Sequence, residues 1–193
     1  MPSWSDPYTG SLNSFTTYVG AFSVVSNQVT STNTGAYSIG GYLSGNLGGD
    51  HFAQLKITAL DAANSRSIGP ATRMAGAGVN GSNYQLTLDA SSGGSWTFSK
   101  FVNFSSQINI DQQSITISLP MVLRLESIGA THRVLIDGVL KGTYQDTDVP
   151  AGTANLYSGL YSVDGNNVVT ADDFYAETIY VPPRVIGGYR ATI

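Results

Sequence analysis

The sequence predicts an all-β fold with two opposed antiparallel layers around one core. Between residues 121 and 144, apolar and polar residues alternate with the period of two that is typical of strands with one buried face. Asp137-Gly138 lies between apolar residues here, and the pair favours a tight hairpin because a type I′ turn needs positive φ at both central positions. Such a three-stranded meander exposes its apolar face unless another sheet covers it, so we expect a second layer.

The composition supports this fold class. The 193 residues include 22 glycines and only 11% are charged, which favours many short strands and turns over long helices. Nine Lys and Arg residues against thirteen Asp and Glu residues give a net charge of −4 without a basic run, so we expect neither a nucleic-acid partner nor a membrane partner. The chain contains no cysteine, no apolar run of about 20 residues and no signal-peptide pattern.

Alternation along most of the chain predicts one domain over residues 1–181, with an aromatic N-terminal arm, and a tail over residues 182–193. The pattern alone is compatible with a sandwich or a barrel. Pro70 predicts that its strand lies at a sheet edge or a bulge, and Asp111-Gln112 predicts a hairpin within residues 107–119. The other predicted elements are a hairpin over residues 21–31 that turns near Asn27, and strands over residues 36–42, 51–60, 67–74, 84–88, 96–102, 154–163 and 172–181.

The order of these segments resembles the concanavalin A-like lectin/glucanase superfamily, the jelly roll of laminin G-like modules, pentraxins and legume lectins. The resemblance covers residues 14–181. It implies a two-sheet antiparallel β-sandwich with one concave and one convex sheet, and it bears on the fold more than on the activity. The segments that carry it are DHFAQLKITAL, GPATRM, YQLTL, WTFSKFVN, LRLESIGATHRVLIDGVLKGTY, NLYSGLYS and ADDFYAE.

Catalytic patterns are missing from the sequence. The hydrolytic branch of this superfamily uses Glu-x-Asp-x-x-Glu on one strand, because glycoside hydrolysis needs two carboxylates about 5 to 10 Å apart. The chain has two glutamates, Glu126 and Glu177, and neither has an acid two positions away. The two histidines, His51 and His132, lack a zinc-binding frame, and we expect them at strand ends or on the surface. We therefore expect no enzymatic activity.

Two kinds of ligand remain as candidates. The resemblance implies a calcium site, and its predicted ligands are Asp164, Asp172 and Asp173, with Asn166 and Asn167 nearby; the alternative is an ordinary turn followed by a strand. Exposed aromatic rings on strands would stack on sugars, although an aromatic residue in a strand more often packs against a cross-strand neighbour. The predicted glycan-binding residues are Tyr37, Tyr42, Trp96, Tyr157 and Tyr161.

The chain termini carry aromatic, proline and arginine residues, and short apolar termini can add a strand to a neighbouring subunit or fill a groove on it. The alternative is an added strand in the protein's own sheet, or a disordered tail. Predicted partner-binding residues are Trp4, Tyr8, Arg184, Val185, Ile186 and Tyr189.

These features favour a non-catalytic surface module. We expect a virion structural protein, either a phage capsid-decoration or a tail-associated protein, which lies at the virion surface, is oligomeric in its assembly and binds glycans weakly. The alternative is a carbohydrate-binding lectin module of a secreted, extracellular protein. A glycan hydrolase or lyase is disfavoured by the small number of suitably spaced acids.

Overall fold

The computed structural model consists of two antiparallel sheets that pack face to face, and it describes residues 3–8, 12, 15–33, 37–42, 47–74, 81–102, 107–151, 157–163 and 168–180. Sheet A has the strand order β13-β12-β11-β6-β15-β4-β3, with β1 also paired to β15, and sheet B has the order β10-β9-β8-β7-β14-β5-β2. The predicted all-β sandwich is confirmed. The strands are β1 Ser3–Asp6, β2 Phe15–Val19, β3 Phe22–Val25, β4 Gln28–Ser31, β5 Tyr37–Tyr42, β6 His51–Ala59, β7 Ser67–Met74, β8 Asn83–Asp89, β9 Ser95–Phe101, β10 Gln107–Ser114, β11 Met121–Ile128, β12 Thr131–Ile136, β13 Val139–Gln145, β14 Tyr157–Val163 and β15 Thr170–Thr178.

The predicted hairpin at Asp137-Gly138 is confirmed and joins β12 to β13. Asp137 has φ 50° and Gly138 has φ 76°, so both central residues occupy the left-handed region that a type I′ turn requires. The Asp137 carboxylate accepts a hydrogen bond of 2.7 Å from the Val122 amide, which ties this turn to the start of β11. The hairpin predicted near Asn27 is also confirmed, since it joins β3 to β4.

The hydrophobic core lies between the sheets and follows the alternation of the strands. Sheet A contributes alternate residues such as Leu55 and Leu123, and sheet B contributes residues such as Leu86 and Phe98. All four side chains are fully buried. The residues between them on β8 and β9 point to the outer face of sheet B.

The prediction that Pro70 marks an edge or a bulge is wrong, because β7 lies in the middle of sheet B between β8 and β14. Pro70 pairs with Leu160 of β14, while the pairing of β7 with β8 skips Gly69 and Pro70. Proline has no amide hydrogen to donate, and the gap in the β7–β8 ladder means that none is needed at this position. At this gap the strands lie so close that a Cβ on Gly69 would be 1.7 Å from the Leu86 carbonyl oxygen.

The hairpin predicted at Asp111-Gln112 is also wrong. Asp111 and Gln112 continue one strand, β10, and pair with Phe98 and Thr97 of β9. Instead of a turn, the structure has a β-bulge between Asn109 and Asp111.

The two histidines begin or lie within strands, but neither lies on the surface, which corrects that part of the prediction. Both side chains are fully buried. His51 lies 2.7 Å from the Gly48 carbonyl oxygen through Nδ1, and its Nε2 is 3.1 Å from the Arg73 amide nitrogen. The His132 ring packs on the Tyr84 ring, with centroids 3.8 Å apart. These contacts give both histidines structural roles at one end of the sandwich.

A charged cluster closes the same end. The Lys100 ammonium, 8% exposed, contacts the Asp146 carboxylate and lies 2.6 Å from the Asp148 carboxylate. The Tyr84 hydroxyl donates to Asp146 at 2.5 Å. Since Tyr84 and Lys100 belong to sheet B and Asp146 directly follows β13 of sheet A, the cluster joins the two sheets.

Candidate functional site on the outer face of sheet B

The outer face of sheet B is concave. Tyr161 on β14 and Gln107 on β10 are separated by three strands, a distance of about 19 Å in a flat sheet. Yet the Tyr161 hydroxyl lies 2.9 Å from Gln107 Oε1, and the rings of Tyr161 and Phe101 lie 5.7 Å apart. Side chains on the outer face can meet over these distances only if the sheet curves towards that face.

A polar groove of about 170 Å³ crosses one half of this concave face. Its floor includes Ser67 and Thr87, which are 6% and 5% exposed, while Gln107, Asn109 and Gln112 are exposed at its rim. The register places Thr87 opposite Thr97, and Thr97 opposite Gln112, so the groove runs across neighbouring strands. The lining residues are Ser65, Ser67, Thr87, Asp89, Thr97, Gln107, Asn109, Gln112 and Val163.

The chemistry of this groove suits a neutral molecule with many hydroxyl groups. Hydroxyl and amide side chains both donate and accept hydrogen bonds, and Asp89 is the single charged residue among the described residues of the lining. One Asp89 oxygen accepts a 2.7 Å hydrogen bond from the Ser91 amide, which orients the carboxylate. Among the described residues, no lysine or arginine lines the groove, so an anionic ligand would meet the Asp89 carboxylate without a compensating cation from this part of the chain.

The other half of the concave face is apolar and buried. Ile39, Ala71, Met74, Phe101 and Tyr161 form a cluster that is separate from the main core, with Tyr18 and Tyr157 packed against it. Burial, with a smaller contribution from the neighbouring Tyr157, raises the pKa of the Tyr18 hydroxyl to about 12. Polar and apolar halves therefore adjoin on one concave surface.

Of the residues predicted to bind glycans, Tyr157 and Tyr161 lie on this face and Trp96 does not. Tyr157 and Tyr161 belong to the apolar cluster, and Tyr37 pairs with Val163, which lines the groove. Trp96 is 1% exposed in the main core, which corrects the prediction that its ring is available to a sugar. In the backbone register, Tyr42 of β5 pairs with Phe15 of β2.

Tyr161 reaches the concave face but not the solvent. Its side chain is 1% exposed, and its hydroxyl is held by Gln107 at the rim of the groove. Tyr157 is half-buried. The strand register therefore places Tyr157 and Tyr161 beside the polar groove, but the Tyr161 ring is not accessible to solvent there.

The predicted calcium ligands divide between described and undescribed residues. Asp172 and Asp173 face Lys56, whose ammonium lies 3.9 and 2.8 Å from their carboxylates. Asp164, Asn166 and Asn167 lie outside the described residues. Within the described part of the chain, no group of three or more His, Cys, Asp or Glu side chains could hold a metal ion. The calcium site stays a prediction.

Asp173 also lines a depression of about 280 Å³ on the other sheet, where β1 approaches β15. Its lining combines Asp173 with Pro7, Phe174 and Tyr175. Because Lys56 engages this carboxylate, the depression offers fewer free polar groups than the groove on sheet B.

The N-terminal arm, which carries two of the predicted partner-binding residues, packs against its own chain. Trp4 is part of β1, which pairs with β15 of its own sheet. Tyr8 is fully buried and its ring lies 5.9 Å from the Phe15 ring, which corrects the prediction that it contacts a partner. Arg184, Val185, Ile186 and Tyr189 lie outside the described residues.

Sequence reasoning missed the residues of the polar groove. One sequence pattern could have predicted this face. Alternate positions of β8 and β9 carry the polar residues Gln85, Thr87, Thr97 and Ser99, between the large apolar residues of the core. Such alternation identifies one polar face on adjacent strands. It does not show that β10 adds Gln107 and Gln112, because the bulge in that strand changes which residues face the groove.

Comparison with known proteins gives structural likeness without sequence relatives. No family model and no curated protein matches the chain. A carbohydrate-binding module, CBM66, of Bacillus subtilis matches with a TM-score of 0.65 and 20% identity, over 86% of this chain and 92% of that one. The CBM2 module of the evolved Dit of Lactobacillus casei BL23 phage J-1 matches with a TM-score of 0.60 and 11% identity, over 93% of this chain and 98% of that one.

The same fold occurs within a larger chain. A GH43 protein, BlXynB of Bacillus licheniformis, matches with a TM-score of 0.65 and 10% identity, over 91% of this chain but 39% of that one. Galectin-like and legume lectin-like structures match as well. At these identities the likeness establishes the fold, which is the concanavalin A-like jelly roll that the sequence resembles. Within the described residues, no helix is long and apolar enough to cross a membrane.

Proposed function

We propose that this protein is a non-catalytic glycan-binding module that holds a neutral sugar in the polar groove of sheet B. The observation that carries the proposal is the convergence of hydroxyl and amide side chains from four neighbouring strands, with Asp89 as the single charge, in one concave groove. Ligand sites in proteins are concave and place a few polar groups to fix orientation. The similar structures titled carbohydrate-binding modules support the same assignment by analogy of fold.

A binding role fits the groove better than hydrolysis. Both retaining and inverting glycosidases need two carboxyl groups that flank the scissile bond, and the described residues of the groove include one, Asp89. Asp146 and Asp148 form another pair of carboxylates in the described residues, and both contact the Lys100 ammonium. An ion-paired cluster that joins the sheets is a structural arrangement rather than an acid and base pair.

The test is a binding measurement with charge-matched sugars. We expect calorimetry or a glycan array to give binding of neutral oligosaccharides, and of uronic acid or sulfated analogues at least tenfold more weakly, because Asp89 repels anions. Thr87→Val, which removes one hydroxyl from the floor, should weaken neutral-sugar binding.

Asp89→Asn should reduce the discrimination between neutral and anionic sugars. Asp61→Asn is the matched control, because Asp61 pairs with Arg66 outside the groove lining. Absence of binding to every glycan tested would refute the proposal. Equal binding by the Thr87→Val protein would place the sugar elsewhere.

We further propose that the module acts at a virion surface as part of a larger particle, with a secreted lectin as the alternative. The likeness to a module of a phage Dit protein supports this role. The sequence of residues 182–193, with Arg184, Val185, Ile186 and Tyr189, supports a contact with a neighbouring subunit. Removal of these residues should abolish incorporation into particles while glycan binding persists. Undiminished incorporation would refute the contact.

A further inference from the structure

We propose that the polar groove of sheet B prefers an amino sugar, whose ammonium group is bound by the Asp89 carboxylate. The inference rests on the proposed function and narrows its ligand. The preferred ring carries a free amino group in place of one hydroxyl, and a neutral sugar binds the same groove more weakly. The observation behind it is a carboxylate that lines an open groove, among hydroxyl groups, without a cation from the described residues.

The Asp89 carboxylate is oriented by the chain and has one oxygen left for a ligand. Its side chain is half-buried in the lining of the groove. Oδ1 accepts the Ser91 amide at 2.7 Å, and the Ser91 hydroxyl lies 3.1 Å from the hydroxyl of Ser65, another residue of the lining. Oδ2 makes no hydrogen bond with the described residues. A ligand therefore meets a carboxylate oxygen that is already in position.

No lysine or arginine of the described residues contacts Asp89. Arg66, which directly precedes β7, contacts the Asp61 carboxylate, and Lys100 of β9 contacts Asp146 in the cluster at the end of the sandwich. A neutral ring that covers Asp89 removes part of the hydration of the carboxylate and supplies no positive charge, which opposes binding. An ammonium group supplies that charge.

Hydroxyl groups surround Asp89 on the same face of the sheet. The register places Ser67 of β7 and Ser95 of β9 directly opposite Asp89, one on each side. Thr87 lies two residues along β8, about 7 Å away. The hydroxyls of Ser67 and Thr87 make no hydrogen bond with the described residues. They are available to the hydroxyls of a ring whose amino group lies at Asp89.

Charge, rather than hydrogen-bonding capacity, distinguishes an amino group from a hydroxyl at this position. A sugar hydroxyl also donates to a carboxylate, so both groups gain a charge-assisted hydrogen bond. Only the ammonium adds a Coulomb attraction, which grows as the ligand displaces water from the groove. Because Asp89 is half-buried rather than fully buried, water screens part of this attraction, and we expect a preference of about tenfold.

The test compares sugars that differ in one substituent. NMR chemical-shift titration at pH 7 gives the affinities of the intact chain for glucose and glucosamine, galactose and galactosamine, and mannose and mannosamine, together with the three N-acetylated forms. We expect the amino sugar of the preferred pair to bind about tenfold more tightly than its neutral parent. N-acetylation, which removes the charge, should cancel the preference.

Asp89→Asn should reduce the ratio of amino-sugar to neutral-sugar affinity to near one. The asparagine oxygen can still accept the Ser91 amide, so we expect the fold to be kept, which circular dichroism checks. Asp61→Asn is the matched control, because it changes the net charge by the same amount outside the groove lining and should leave the ratio unchanged. A ratio that persists in the Asp89→Asn protein would refute the assignment to Asp89.

Two measurements on the unaltered chain need no variant. Raising NaCl from about 50 to about 500 mM should weaken binding of the preferred amino sugar and leave binding of its neutral parent nearly unchanged, because salt screens only the interaction between charges. Ethanolamine, an amine without a ring, should bind far more weakly than the amino sugar. A salt-independent preference would refute the proposal. Equal binding of ethanolamine would also refute it, by assigning the preference to a general attraction of cations to an acidic chain.

Failure of the inference and failure of the proposed function give different results. If the unaltered chain binds amino sugars and their neutral parents equally, the role of Asp89 is refuted and the groove remains the sugar site. If it binds no sugar of either kind, the proposed function is refuted, and the amino-sugar preference with it.

Discussion

Acidification should destabilise the protein before its carboxylates titrate, because both histidines are held neutral. The Gly48 carbonyl and the Arg73 amide require His51 to carry its proton on Nδ1 and to accept through Nε2. Protonation of His51 Nε2 would remove this acceptor and leave an N–H group facing the N–H of Arg73. His132 lies 3.2 Å from the Asp146 carbonyl oxygen through Nε2 and 3.0 Å from the Ser127 hydroxyl through Nδ1, which fixes the other tautomer.

The magnitude follows from the difference between folded and unfolded pKa values. Burial, assisted by the Arg73 charge and opposed by the backbone contacts, lowers the pKa of His51 and of His132 to about 4. The unfolded chain has histidine pKa values of about 6.5. Between these values the unfolded state binds more protons, so stability decreases as pH falls. From pH 7 to pH 5 the loss is about 2 kcal/mol for each histidine, or on the order of 3–4 kcal/mol for both.

The assay is urea unfolding at pH 7, 6 and 5, where aspartates remain ionised. His51→Gln and His132→Gln should each remove about half of the decrease in unfolding free energy between pH 7 and pH 5, whatever they do to the stability at pH 7. An NMR titration of the imidazole resonances provides a direct check. A folded-state pKa near 6.5 for either ring, or an unfolding free energy that is constant from pH 7 to pH 5, would refute the reasoning.

Two further predictions concern the backbone and the charged cluster. Gly69→Ala should destabilise the fold by more than the roughly 1–3 kcal/mol of ordinary overpacking, because its Cβ would be 1.7 Å from the Leu86 carbonyl oxygen. Gly138 has φ 76° and open space around it, so Gly138→Ala should cost only about 1 kcal/mol in the same urea titration. Asp146→Ala should cost about 3 kcal/mol, measured by thermal and urea unfolding, because it removes one of the two carboxylates that hold the Lys100 ammonium. Equal losses for the two glycine variants, or an unaltered Asp146→Ala protein, would contradict these expectations.

The fold was predictable from the sequence because its signals are local. The alternation in β6, β11 and β12 and the turn at Asp137-Gly138 each involve residues close together in the chain. The environments of the histidines involve distant residues, since the amide that His51 accepts from belongs to Arg73, 22 positions away. A strand pattern cannot supply such a partner.

The candidate site was only partly predictable because both faces of sheet B carry aromatic residues. Trp96 and Tyr161 both occur in strands with similar patterns, yet Trp96 belongs to the main core and Tyr161 to the concave face. Which face a residue occupies depends on the parity of its position within the strand, and a bulge changes that parity. Irregularities near Asn109 in β10 and near Gly159 in β14 do so in the strands that contribute to the site.

The same irregularities also indicate which surfaces are left for binding. Bulges leave Lys141 of β13, Ile110 of β10 and Tyr18 of β2 without a counterpart on the neighbouring strand. These three strands lie at sheet edges, and bulged edges are poor templates for another strand. Among the described residues, the other edge strands, β1 and β3, have only four residues each. Because strand addition is disfavoured at these edges, they favour our proposal that the ligand site is the concave face of sheet B, since a sugar needs no strand edge to bind.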